Sequence, residues 1–120
     1  MRALAGPPYV VRWHPDAAAE RDASWPPDEQ AAIFHAAQKL EAEGSRLRHP
    51  HSSAVQGPTG KGLRELRPRG GQSRWRPIHR QVAADTFVIL AVAPEAMIDA
   101  AGFDAAVTRA KQRFENLEPE

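Results

Sequence analysis

The chain has no cysteine among its 120 residues, which excludes a disulfide scaffold and any thiolate metal site. Long apolar runs are missing as well. The longest, TFVILAVAPEAMI over residues 86–98, is too short in its uninterrupted part to cross a bilayer. Pro7 and Pro8 break the amino-terminal MRALAGPPYV before a secretory apolar segment can form, so a cytoplasmic location without a membrane partner is expected. Aromatic residues are few, at 7%, and the length suits one domain with one modest core. Familiar catalytic patterns are also lacking. The run Gly57-Pro58-Thr59-Gly60-Lys61-Gly62 has neither the glycine spacing of a phosphate loop nor a Ser or Thr after the lysine, and it precedes a predicted strand instead of opening a helix; nucleotide hydrolysis is disfavoured. His49 and His51 have no completing ligand pattern nearby, so no metal site is expected. Ser52 and Ser53 beside His51 are no triad, because adjacency in sequence is not catalytic geometry.

What the chain does have is positive charge in one place. Arg46, Arg48, Lys61, Arg64, Arg67, Arg69, Arg74, Arg76 and Arg80 face a single acid, Glu65, within residues 46–80, a block of +8 in a protein of net charge +1. The remainder is therefore acidic, with seven basic against fourteen acidic side chains. A field polarised in this way concentrates polyanions on one face, and nucleic acid is the leading partner class.

The 11 prolines and 8 glycines imply short elements with marked turns. Residues 1–8 read as a loose arm, 9–117 as the domain and 118–120 as a tail. Residues 9–14 alternate as a strand, with Tyr9, Val11 and Trp13 on one side, and Pro15 closes it. Residues 16–23 suit a short helix. Ser24 is placed to cap a second, with Pro26 and Pro27 in its first turn and Asp28 and Glu29 at its positive end. Ile33, Ala36, Ala37 and Leu40 then recur as one helical stripe, and Gly44 is a stop. Residues 45–62 read as a long connection with at most one brief ordered stretch. Strands follow at 63–68 and 73–83, with a Gly70-Gly71 turn between them. Pro77 in the second must sit at a bulge or on a side of the ladder that needs no amide hydrogen. Residues 86–92, apolar on both faces, predict a central strand. Phe103, Val107, Ala110 and Phe114 mark the apolar face of a last helix. The order is β-α-α-β-β-β-α, an α+β domain whose four-stranded sheet is packed by helices on one side and open on the other. Trp13, Trp25 and Trp75 are packing residues before they are binding residues, although Trp75 also suits stacking on an RNA base.

Several segments together resemble a known family: Gly44 to Leu47, Pro50 to Ser53, Gly62-Leu63-Arg64-Glu65-Leu66-Arg67, Ser73-Arg74-Trp75-Arg76-Pro77-Ile78-His79, Phe87-Val88-Ile89-Leu90 and the final alanine-rich helix. The chain is similar over most of residues 9–114 to RelE/HigB-superfamily toxins of type II toxin–antitoxin systems, especially the phage-derived toxin-like branch. The resemblance implies a compact fold with a curved, mainly antiparallel sheet, a cognate antitoxin carrying a helix-turn-helix domain, and cleavage of mRNA on the ribosome. No metal or cofactor is implied. It carries the family's catalytic basic residues onto Arg67, at the end of the ELR strand, and Arg76, in the next. His79 stands where relatives commonly show Tyr or another ring. The chain departs from relatives after its last strand, where Ala91-Val92-Ala93-Pro94-Glu95-Ala96 replaces a stretch that often holds a lysine pair. A binding module without catalysis and a ParE-type gyrase-inhibiting toxin are the alternatives, because a shared fold does not fix the target.

Metal-independent cleavage of RNA requires the 2′-hydroxyl to lose a proton, the phosphate to gain charge and the 5′-oxygen to be protonated. Guanidinium groups suit the middle task because their fork holds two phosphate oxygens. Arg67 and Arg76 are the candidates, and Arg48, Lys61, Arg64, Arg69, Arg74 and Arg80 extend a backbone-binding track. For proton transfer His79 and the loop residues His49 and His51 are the candidates, histidine being the side chain that titrates nearest neutrality. Alternation along an unbulged strand would put His79 and Arg76 on opposite faces, so the two can share a site only across a bulge or a curved edge.

Overall fold

A computed structural model describing residues 6–117 places five strands and three α-helices in the order β1 (Val10–Trp13), α1 (Pro15–Asp22), α2 (Asp28–Glu43), β2 (Ser52–Ala54), β3 (Arg64–Leu66), β4 (Trp75–Ala83), β5 (Thr86–Pro94) and α3 (Ala100–Glu115). Residues 1–5 of the expected arm and the 118–120 tail lie outside the described residues. The strands form one sheet in the order β1-β5-β4-β3-β2. Only the β1–β5 pair is parallel.

The fold is α+β as expected, but the connection over 45–62 holds a fifth strand. In β2, Ser52, Ser53 and Ala54 pair with Leu66, Glu65 and Arg64. The segment carries no apolar alternation, so nothing local announced a strand. Ser24 is a second departure. It does not cap α2, whose first turn follows Pro27 without a side-chain cap; its hydroxyl instead donates to the Glu20 carbonyl and closes α1. Gly44 does stop α2, at φ 57°, where a Cβ would drive into the Tyr9 ring.

The expectation of a sheet with one open face is overturned by β5 itself. Its alternation sends Phe87 and Ile89 to one side, where they pack with Ala36, Ala37 and Leu40 of α2, Ala17 of α1 and Leu66. Val88, Leu90, Ala91 and Ala93 face the other way with Ile78 and the Ala106, Val107 and Ala110 stripe of α3. Each large aliphatic side chain loses roughly 2 kcal/mol if left wet, so both faces need a helix.

Leu90 and Ala91, consecutive residues, share one face because the ladder slips there: Ile78 pairs with Ala91 and His79 with Ile89, leaving Leu90 as the extra residue. This bulge lies on β5, so the alternation of β4 continues undisturbed from Trp75 to Gln81, beyond which a second slip leaves Val82 extra on β4. Pro77 pairs with Val92, whose N–H goes to Glu20 at 2.9 Å. The β3–β4 pairing ends at Glu65 and Ile78. Pro77 thus occupies a place where no neighbour needs its amide hydrogen.

Candidate nucleic-acid interface

Folding places six of the nine basic residues of the block in three environments and leaves Arg46, Lys61 and Arg74 exposed outside them. The first is buried. Arg76, on the α3 side of β4, is only 2% exposed, and its guanidinium donates to the carbonyls of Ser73, Trp75 and Gly71. Glu95 pairs with it at 3.3 Å. Burial lowers its pKa, Glu95 opposing and Arg67 reinforcing that shift. These donors are spent on tying the Pro68–Gly71 turn to the end of β5, which is how a buried cation avoids an uncompensated desolvation cost.

The second environment is a cleft of about 540 Å³ between α2 and the segments entering β2 and leaving β3, lined by Asp28, His35, Lys39, His51, Arg67 and Arg69 among others. Residues 28, 32, 35, 36 and 39 form the α2 wall because they recur at helical spacing. Lys39 Nζ lies 3.3 Å from His51 Nδ1, a contact in which the ammonium is the donor. Arg67 donates from Nε to the Pro50 carbonyl and from Nη1 to Glu65, both at 3.2 Å. Arg69, in a left-handed conformation at φ 55°, is held by Glu29, which also accepts from the Ser73 hydroxyl. Burial alone would raise the Glu29 carboxyl; the hydrogen bonds from Ser73 and Arg69 outweigh it and leave the group below the ordinary carboxylate range.

The third is a smaller pocket of about 240 Å³ on the α2 side of the sheet, where Arg48, Arg64, Arg80 and His79 meet Ser45, Ser52, Gly62 and Phe87. His79 pairs across the ladder with Arg64 and packs edge-on to Phe87 at 6.0 Å. Burial, helped by the Arg64 charge, pulls its pKa down to about 3, so the ring is neutral. Arg64 donates from Nε to Ser52 Oγ at 3.1 Å. Arg80 stands at the rim, its guanidinium 4.2 Å from the Phe114 ring centre.

The structure therefore brings Arg67 and Arg69 together with His51, and sets Arg76 behind them in the protein. His79 lies on the opposite sheet face from Arg76, since the bulge that might have joined them belongs to the other strand. Arg74, Lys61, Arg48 and His49 are exposed. Arg74 precedes β4 and Arg76 is buried, so Arg74, Arg76 and Arg80 form no common track. Trp75 donates its indole N–H to the Trp25 carbonyl at 3.1 Å. Trp25, expected to pack, is 68% exposed, because Pro26 and Pro27 carry the chain away from the core before α2 begins. Sequence reasoning missed His35 and Lys39; they sit four apart beside the apolar stripe of α2, a signal that the acidic surroundings masked. Among the described residues no cluster of three or more His, Asp and Glu side chains forms a metal-ligating group.

The model of the phage-derived Gp49-like protein family (DUF891) matches residues 23–93, more than half of the chain. The chain belongs to the Gp49-like family. Among solved structures, a chain of the toxin–antitoxin complex RelBE2 from Mycobacterium tuberculosis aligns with this Gp49-like domain at 25% identity and a TM-score of 0.55, over 71% of this chain and 95% of that one. The fold of the Gp49-like domain is thus the RelE/ParE-like fold. No curated protein matches the chain.

Proposed function

We propose that this Gp49-like protein is the toxin of a type II toxin–antitoxin pair and that it cleaves mRNA on the ribosome without a metal, using the cleft along α2. The observation that carries the reading is the convergence of Arg67, Arg69, Lys39, His35 and His51 in one cleft on a RelE-like fold. The guanidinium groups and Lys39 hold the phosphate as its charge grows. His35 and His51 move the protons: one takes the 2′-hydroxyl proton as that oxygen bonds to phosphorus, and the other returns a proton to the 5′-oxygen as the P–O5′ bond breaks. The products are a 2′,3′-cyclic phosphate, or the 3′-phosphate formed from it, and a 5′-hydroxyl. Arg76 supports the turn that carries Arg69 without touching RNA. A cognate antitoxin with a helix-turn-helix domain is the expected partner.

Protein freed from its antitoxin should cut transcripts in a translation-coupled assay. Replacing both Arg67 by Gln and His51 by Ala should slow cutting by about 100-fold or more. Intact transcripts with the wild-type protein, or unchanged cutting by the double variant, would overturn the assignment. One observation favours a second reading, an RNA-binding module without catalysis: Glu65 and Glu95 already occupy Arg67 and Arg76. Salt-sensitive RNA binding without scission selects that reading.

A further inference from the structure

The pocket around His79 takes no part in the cleavage chemistry proposed above, yet its composition is unusual for a fold-stabilising cavity. Three arginines line it and no carboxylate does. The buried arginine of the opposite face, by contrast, is matched by Glu95. The floor of the pocket is His79, 2% exposed, and His79 Nδ1 is buried with no hydrogen-bond partner among the described residues. Buried polar atoms are paired in the great majority of cases, so an orphan on a residue that lines a cationic pocket points to a ligand. Arg64 spends Nε on Ser52, which fixes its plane and leaves the terminal nitrogens as further donors. Arg48 is exposed at the mouth with no side-chain partner among the described residues. Gly62, at φ 81°, keeps the wall thin, and a Cβ there would collide with the Arg80 guanidinium.

We infer that this pocket is a phosphate-binding site, in which Arg64 and Arg48 supply charge and the His79 ring supplies a hydrogen bond from its floor. A neutral imidazole donates from one nitrogen, which suits an anion already matched by two guanidinium groups. At about 240 Å³ the pocket has room for a phosphate and part of a sugar, and Phe87 and Leu47 give the sugar an apolar wall. The phosphate belongs either to an RNA strand also engaged by the α2 cleft or to a free nucleotide or phosphate ion. The inference goes beyond the cleavage reading and does not depend on it.

The test is an NMR titration of the intact protein that follows the His79 ring signals against inorganic phosphate, with chloride at matched ionic strength as the control. Phosphate should shift the His79 signals saturably and chloride should not. Arg48→Gln, an exposed change that leaves the fold alone, should weaken the response by about tenfold, as should Arg64→Gln. His51→Ala should leave it intact, which separates failure of the pocket from failure of the cleavage site. Absence of a saturable His79 response, or an equal response in Arg48→Gln, overturns the proposal. Three further arms distinguish the source: adenosine monophosphate, and one short single-stranded RNA with and without a 5′-phosphate. Tighter binding of either RNA than of the nucleotide assigns the pocket to a strand, at its end if only the phosphorylated RNA gains. Equal binding of nucleotide and RNA assigns it to a free phosphate compound.

Discussion

Arg76 and His79 are three positions apart on one strand and have opposite fates. Both are nearly sealed from solvent; Arg76 keeps its charge through three carbonyls and Glu95, whereas His79 gives its charge up. Removing the Arg76 side chain would orphan those carbonyls and the paired acid, so Arg76→Ala should cost about 3 kcal/mol in chemical denaturation. Arg74→Ala, at an exposed site, should change stability by less than about 0.5 kcal/mol. Equal losses would contradict the structural role assigned to Arg76. His79 gives a signed pH effect. Its folded pKa of about 3 lies below the ordinary 6.5, so between those values the unfolded chain binds the extra proton. Stability contributed by the neutral ring is complete above pH 6.5 and drains as the pH falls, by roughly 3 kcal/mol at pH 4. In His79→Phe this drop should vanish from denaturation midpoints measured across that range. The residue-level pattern was partly readable in advance: strand alternation already separated His79 from Arg76. Burial of Arg76 was not, because a run of arginines reads as surface until Glu95, from beyond the next strand, comes to meet it.

Elements were legible where periodicity was strong. The stripes of α2 and α3 and the apolar run of β5 lie where their spacing put them. The three-residue β2 was not, since its pairing with β3 is supplied by tertiary contact and not by its own side chains. The same limit hid the two-sided packing, which needed the consequence of β5 alternation to be followed through to both faces. Between elements, Glu20 serves as a junction. From α1 its carboxylate accepts the Val92 N–H of β5, at 2.9 Å, and Arg113 of α3, at 2.8 Å. Burial by itself would raise this carboxyl, but Arg113, the Val92 amide and Arg109 together bring it below the ordinary range. Glu20→Ala should therefore destabilise the fold by about 2 kcal/mol. Arg113→Ala should lose a similar amount, and the double variant less than the sum of both, in denaturant unfolding. Strict additivity would show that the two do not act together.

On the scale of the whole molecule, the +8 block does not become one continuous face. It divides into a buried staple, a cleft and a pocket, with Asp28, Glu29 and Glu43 of α2 drawn in as partners for Arg69 and Arg46. Composition revealed the excess of charge but not this partition, which depends on which arginines the sheet swallows. If the cleft and pocket together hold about four phosphates of a single strand, log Kobs for RNA should fall with log salt at a slope near −3. A slope close to zero would mean that the cations are fully occupied within the protein. Among the described residues no helix is long and apolar enough to cross a membrane.

Two of the three tryptophans, Trp25 just before α2 and Trp75 bonded to it, make the protein its own optical reporter. Trp25 is largely open to water and lies three residues before Asp28 on the cleft wall, while the indole of Trp75 is anchored to its carbonyl. Emission from Trp25 should be red-shifted and readily quenched by iodide in the free protein. A chain or strand laid across that end should turn it blue and shield it, so occupancy can be followed without a label.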